Sequence, residues 1–286
     1  MAGDQGLMLA APRMRQRAGL AFLLVPPMAW LVIAYLGSLA VLLVSAFWST
    51  NSFTGRVVHT FTTDNLVRVF TDDVVRATTL RTVGVAVTVT VLCAVLAVPL
   101  ALYMAKVASP AVRIALVVAV TTPLWASYLV KAYAWRMMLS PEGPLAWVSG
   151  WTPGYGLVAT VITLTYLWLP YMVIPVFAAF QRVPDALTDA SADLGASDLT
   201  TLRLVVAPMV FPGIAAGSIF TFSLSLGDYI AVQIVGGKTQ MLGNVIYGQL
   251  VTANNQSMAA ALSLIPLLAI VFYLLAMRRT GALENV

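Results

Sequence analysis

Residues 182–212 read RVPDALTDASADLGASDLTTLRLVVAPMVFP. Pro184 suits the first turn of a helix, where a missing N–H costs little. Asp185, Asp189 and Asp193 recur every four residues and form one acidic stripe, while Leu187, Ala190 and Leu194 share an apolar face. Gly195 stops that helix. Ser197 offers an N-cap to a second one, with Asp198 in the favourable first turn. Pro208 and Pro212 then mark the start of a long apolar stretch. The pattern predicts a helix, a glycine turn and a second helix running into that stretch. From these residues alone the element serves either as a solvated connector or as a docking surface for another chain.

The rest of the chain decides where this element sits. It has 286 residues, of which 60% are hydrophobic and 9% charged. Soluble domains carry about 25% charged residues, so this composition excludes a soluble enzyme, a nucleic-acid binder and a disordered chain. One cysteine, Cys93, and one histidine, His59, exclude an intrachain disulfide and a Cys/His metal cluster. The charges divide the chain into uncharged stretches, and about 20 apolar residues cross a bilayer as a helix. The stretches predict an all-α, polytopic membrane protein with six spanning helices near 19–47, 82–105, 112–137, 156–180, 209–234 and 258–277. Pro144, Gly150, Pro153, Gly154 and Gly156 predict a loop between the third and fourth helices.

Six spans put both termini on one side. Arg13, Arg15, Arg17, Lys106, Arg113, Arg182, Arg203, Arg278 and Arg279 then fall on that side, which the positive-inside bias makes cytoplasmic. The first apolar stretch exceeds the 7–15 residues of a signal-peptide core, so it is expected to remain as a helix, bent or delayed by Pro26 and Pro27. Residues 48–80 form the longest external segment, where Leu66, Val67, Phe70 and Val74 have the spacing of an amphipathic helix. Gly237-Lys238-Thr239 lacks the leading glycine of a phosphate-binding loop, Val232 standing in its place. Gly213 and Gly217 form a GxxxG pair, read as close helix packing.

The stretch 182–208 resembles the coupling motif of ABC-importer permeases: EAA, three residues, Gly, nine residues, I-x-L-P. Asp189-Ala190-Ser191 stands for EAA, Gly195 for the glycine, and Val205, Ala207 and Pro208 for the final group, with the spacing kept. Asp189 is shorter than Glu, Ser191 replaces Ala and Ala207 replaces Leu. The resemblance implies a type-I ABC importer permease fold, with 1–76 as cytoplasmic N-terminus, first helix and external loop, 77–277 as a five-helix permease core, and 278–286 as a cytoplasmic tail. It implies that Asp185, Asp189, Ala190, Ser191, Asp193, Gly195, Ala196 and Pro208 couple the chain to cytoplasmic ATPase subunits. It also implies a second similar permease subunit, an external solute-binding protein and a bacterial inner (plasma) membrane location. No cofactor is then expected in this chain, ATP and Mg being held by the ATPase partner, and no nucleic-acid partner. The chain is expected to be a transport subunit and not an enzyme.

Two charges lie near or inside the apolar spans, towards their outer ends. Lys131 is 18 residues beyond Arg113 and Asp228 is 19 beyond position 209, so both sit about 27–29 Å from the cytoplasmic edge. Either Lys131 snorkels outward and pairs with Asp228, or they contact solute. Trp125, Tyr128, Tyr133, Trp135 and Tyr229 cluster beside them, suiting an organic cation or an interfacial aromatic belt. The segments 124–143 and 226–246 are similar to spermidine/putrescine-type permease subunits, which implies a polyamine. Related permeases imply an iron chelate, an oxyanion or a phosphonate as alternatives. A secondary transporter would need inverted repeats and broken helices, and neither is visible in the sequence.

Overall fold

The computed structural model describes residues 22–51 and 54–278. The expectations at Arg13, Arg15, Arg17 and Arg279, and for nearly all of the tail, lie outside the described residues. Helix α1 spans Phe22–Ser45. A two-stranded antiparallel hairpin follows, β1 (Ser49–Thr50) paired with β2 (Val57–Val58), and then α2 (Asp64–Thr71). The long helix α3 covers Asp73–Val107. Next come α4 (Pro110–Trp125), α5 (Tyr128–Met138), α6 (Pro144–Ser149) and α7 (Leu157–Gln181). Helix α8 is Asp185–Asp193 and α9 runs Asp198–Gly227. Helix α10 (Ile230–Val235), α11 (residues 242–252) and α12 (Gln256–Arg278) complete the chain.

Among the described residues, five helices, α1, α3, α7, α9 and α12, are long and apolar enough to cross a membrane, and α4 with α5 supplies a sixth if that bent pair is one span. The break corrects the expected helix at 112–137: α4 and α5 meet at an angle of 101°. Pro123 removes a backbone donor from the last turn of α4, and Ala126 and Ser127 then turn extended. The expected helix at 209–234 is likewise two elements, since α9 ends at Gly227 and Asp228 is extended. Helix α9 also begins earlier than expected, so the second arm of the glycine-turn element is the start of the span itself. Helix α3 begins at Asp73, whose preceding residue Asp72 caps it by accepting from the N–H groups of Val74 and Val75. The boundary expected at 76/77 therefore falls inside a helix. Between α5 and α7 the expected loop contains only the short α6.

The core lies where α3, α7 and α9 pack on one another. Cys93, Ala97 and Ala101 of α3 meet Leu164, Met172 and Val176 of α7 and Val210 of α9 in one buried cluster. Small residues let membrane helices approach, since lipid tails provide no hydrophobic drive for helix association. The closest approach of α9 to α7 is set by the GxxxG pair. A Cβ on Gly213 would stand 2.5 Å from the Ala179 Cβ and 2.8 Å from the Pro175 carbonyl oxygen. One on Gly217 would stand 2.7 Å from the Met172 sulfur.

The 48–72 segment folds over the start of α12. Asn65 donates to the carbonyls of Ala46 and Trp48, and Thr50 donates to Ser257. These bonds select the Asn65, Leu66 and Val69 face of α2 for burial. The expected apolar face is corrected accordingly, with Val67, Phe70 and Val74 exposed. Helix α1 packs along α12 and leaves nearly all of its surface outward.

The glycine contacts give a direct test. Gly213→Ala will destabilise the detergent-purified subunit by about 1–3 kcal/mol, because the backbone of α7 cannot yield to the added methyl. Gly84→Ala, whose Cβ meets nothing within 4 Å, will be neutral or stabilising by up to about 1 kcal/mol. Thermal unfolding of the two variants side by side measures the difference.

Candidate functional site

The two helix breaks meet. At the end of α9, Asp228 turns its carboxylate onto the start of α10, where Oδ1 accepts from the Ala231 N–H at 2.9 Å. Oδ2 accepts from the hydroxyl of Tyr128, the first residue of α5. That hydroxyl in turn accepts from the Ala231 N–H at 3.2 Å. One carboxylate thus joins the two breaks, taking a backbone N–H near the start of α10 and the side-chain hydroxyl at the start of α5, and only 7% of Asp228 is exposed. Tyr229 stacks on Tyr247 with ring centres 5.0 Å apart, and the Asn244 side chain donates to its carbonyl. Tyr128 lies against Trp168 of α7 with ring centres 6.0 Å apart.

A cavity of about 300 Å³ opens at this junction, lined by Tyr128, Trp168, Ser223 and Leu224 and by the turn at residues 227–230. Of the expected solute-path residues, the structure brings together Tyr128, Asp228 and Tyr229. It does not bring Lys131 to Asp228. The Lys131 ammonium donates to the Pro123 carbonyl at 3.0 Å and so closes the C-terminal end of α4, where a cation is favoured. The pairing of Lys131 with Asp228 is therefore corrected. Among the described residues the ion pairs are Arg76–Asp73 and Lys106–Asp185. Trp125 and Tyr133 point outward, and Trp135 packs on Tyr166. Arg136 donates to the Ile234 carbonyl and lies over the Tyr155 ring, 4.6 Å from its centre. Trp168 and Ser223 were not singled out from the sequence. Trp168 stands in an apolar run, LTYLWLPY, that gives no sign of which side faces a cavity.

At the opposite end of the spans, α8 ends in two turn-closing bonds. The Gly195 N–H donates to the Ala192 carbonyl at 2.8 Å and the Ala196 N–H to the Ser191 carbonyl at 3.1 Å. Gly195 takes φ +78°, the left-handed conformation that this closure requires and that glycine adopts without steric cost. Ser197 then caps α9 through the Thr200 N–H, and Ser191 bonds Thr201 at 2.8 Å, tying the two arms. The acidic stripe is split. Asp185 is bonded at 2.6 Å by Lys106 of α3, whereas Asp189 and Asp193 stay exposed. The hydrogen bond from Lys106, and then its charge, hold the Asp185 carboxyl below the usual carboxylate range. The pair is thus present from that range upward and opens only as pH falls below it. Leu187, Ala190 and Leu194 are exposed together, Leu194 at 89%. Pro208 lies within α9, just after a widened turn at Leu202–Val206.

Comparison with known proteins bears on this geometry. Residues 97–279 match the family described as the binding-protein-dependent transport system inner membrane component. The chain is 41% identical over 288 residues to the inner membrane ABC transporter permease protein YdcU of Escherichia coli (strain K12), covering 93% of this chain and 91% of that one. It is 29% identical to the spermidine/putrescine transport system permease protein PotB of the same organism, over 90% of this chain and 95% of PotB. A bacterial ABC transporter involved in the import of the acidic polysaccharide alginate shares the fold. The match has a TM-score of 0.66 at 17% identity and covers 94% of this chain and 98% of that one. The MetNI methionine ABC transporter matches with a TM-score of 0.57 at 18% identity, over 71% of this chain and 92% of that one.

Removing the hydroxyl that joins the two breaks will be costly. Tyr128→Phe leaves a buried carboxylate short of one donor, and will destabilise the purified subunit by about 1–3 kcal/mol. Tyr133→Phe, at an exposed position, will leave the unfolding temperature unchanged.

Proposed function

The chain belongs to the binding-protein-dependent transport system inner membrane components, a multi-pass permease subunit of an ABC importer, and on that premise we propose that it carries an organic polyamine-type cation through the cavity at Asp228. A buried carboxylate among aromatic faces is the observation that carries this reading. Aromatic rings and a desolvated carboxylate together favour a flexible organic cation. Lys131 and Arg136 line no part of the cavity, each being held on a backbone carbonyl. Nothing cationic among the lining residues would attract an oxyanion, a phosphonate or an anionic iron chelate. The similarity to PotB supports the same choice of solute.

The subunit works with a second permease of similar fold, two cytoplasmic ATPase subunits and an external solute-binding protein. Its termini face the cytoplasm, so α8 and the glycine turn project towards the ATPase while Asp228 lies nearer the outer face. ATP-driven closure of the ATPase pair moves α8 and switches the cavity from inward- to outward-facing. The exposed Leu187, Ala190 and Leu194, flanked by Asp189 and Asp193, form the surface that docks. Asp185 faces Lys106 of its own chain, and Ser191 bonds Thr201. These two residues therefore shape the docking element from behind. Hydrolysis belongs to the partner. The broken helices, which the sequence did not reveal, do not favour a secondary transporter, because membership of an ABC-importer permease family supports ATP as the energy source.

Two experiments test the reading. In proteoliposomes containing the complete transporter, spermidine-loaded binding protein will stimulate ATP hydrolysis. Asp228→Asn will reduce uptake at limiting spermidine by about tenfold, one charge contact's worth, while the subunits still co-purify. Equal uptake by the variant and the wild type would remove Asp228 from the solute path. At the other end, Gly195→Val will strain the left-handed turn by about 1–2 kcal/mol. It will insert normally but co-purify with less ATPase subunit, and Gly195→Asn, able to adopt that conformation, will retain most of the binding. Full co-purification and uptake in Gly195→Val would reduce the loop to a connector.

A further inference from the structure

We propose that Lys106 is a positioning residue that transmits movement of α8 into the corner between α3 and α4, and through α4 to the Tyr128–Asp228 junction. The proposal rests on the reading of α8 as the ATPase-docking helix. Lys106 sits in the last turn of α3, 79 residues from Asp185. Its ammonium donates at 2.7 Å to the Val183 carbonyl and at 2.6 Å to Asp185. These two acceptors flank Pro184, the residue at which the chain leaves α7 and begins α8. Two bonds on either side of that point fix the angle at which α8 projects.

An isolated surface ion pair contributes little, and the Asp185 side chain is 80% exposed. The Lys106 side chain is only 25% exposed and is also bound to a main-chain carbonyl, so its role is geometric. The end of α3 is itself held. Arg113 of α4 donates to the carbonyls of Met104 and Ala105 at 2.8 and 3.0 Å, satisfying groups that a helix end leaves open. A polar cavity of about 440 Å³ separates the elements around Lys106, Arg113, Gln181 and Asp185, so side-chain bonds bridge the space that packing leaves. A displacement of α8 therefore pulls on α3 through Lys106 and on α4 through Arg113. Helix α4 ends at the break whose far side carries Tyr128.

The test needs no knowledge of the solute. The complete transporter is prepared with Cys93→Ala and a reporter, Ser223→Cys, in the cavity wall, and thiol labelling is compared without nucleotide and with ATP plus vanadate. The parent is expected to show a clear nucleotide-dependent change in labelling rate. Lys106→Met is expected to retain ATPase-subunit co-purification and basal hydrolysis, but to lose about fivefold or more of that change, the lower range of coupling between distant sites. Lys106→Arg keeps the charge and the donors and is expected to keep most of it. An unchanged response in Lys106→Met, or a Lys106→Arg variant that behaves like it, would overturn the relay while leaving ATPase docking intact. Loss of co-purification in Lys106→Met would make the residue merely structural and overturn it too. A parent that holds no ATPase subunit would overturn the docking reading, and the relay with it.

Discussion

A membrane-spanning chain that interrupts a helix must find partners for the backbone groups it frees, because the hydrocarbon offers none. This subunit interrupts its helices after Trp125 and after Gly227, and side chains carried by α5, beyond the first break, serve the backbone of α10, beyond the second. Asp228 accepts from the start of α10 and from Tyr128 at the start of α5. Lys131 and Arg136 are drawn into the same accounting, one on the Pro123 carbonyl and the other on that of Ile234. Charges that look like solute contacts in the sequence are thus partly the cost of building irregular backbone there. What remains for solute is a cavity with an acidic, aromatic wall.

Much of this architecture was legible from charge spacing. Long uncharged runs mark the spans because an unpaired charge in the bilayer core is expensive. The glycine-turn element was legible for a local reason, since its caps and positive-φ residue are specified within a dozen positions. The breaks were harder to see. Pro123 and Gly227-Asp228 are signals of interruption, but proline also stands within α7 at Pro170 and Pro175, where the helix continues. Whether a proline bends or breaks a span depends on what the freed groups meet, and that is set by residues far away in the chain.

The errors have the same origin. Helix α2 has two apolar edges, and the one it buries was chosen by Asn65 reaching the carbonyls of Ala46 and Trp48. The equal depth of Lys131 and Asp228 suggested a pair, yet each found a nearer partner once the helices bent. Lys106 and Asp185 lie at the ends of different helices, and no periodicity connects them. Local rules therefore fixed element type and approximate position, while long-range polar bonds determined faces and junctions.

Helix α3 shows how the two ends of the molecule become one mechanical object. Its 35 residues span about 52 Å, well beyond a hydrocarbon core of about 30 Å, so it reaches polar surroundings on both sides. At one end Lys106 holds the start of α8. About two turns in from the other end, Arg81 donates to the Gln240 carbonyl and Thr82 accepts from the Leu242 N–H, holding the turn that follows α10. Between these ends the helix is packed on α7 and α9 through small side chains. A close-packed interior transmits strain and does not absorb it. A helix held by hydrogen bonds near both ends and packed between them couples the two regions mechanically, with Pro99 and the widened turn at Tyr103–Val107 as its points of give. This gives the fold its economy: the element that senses α8 is continuous with the element that holds the outer turn, and the cavity lies beside the helices it packs against.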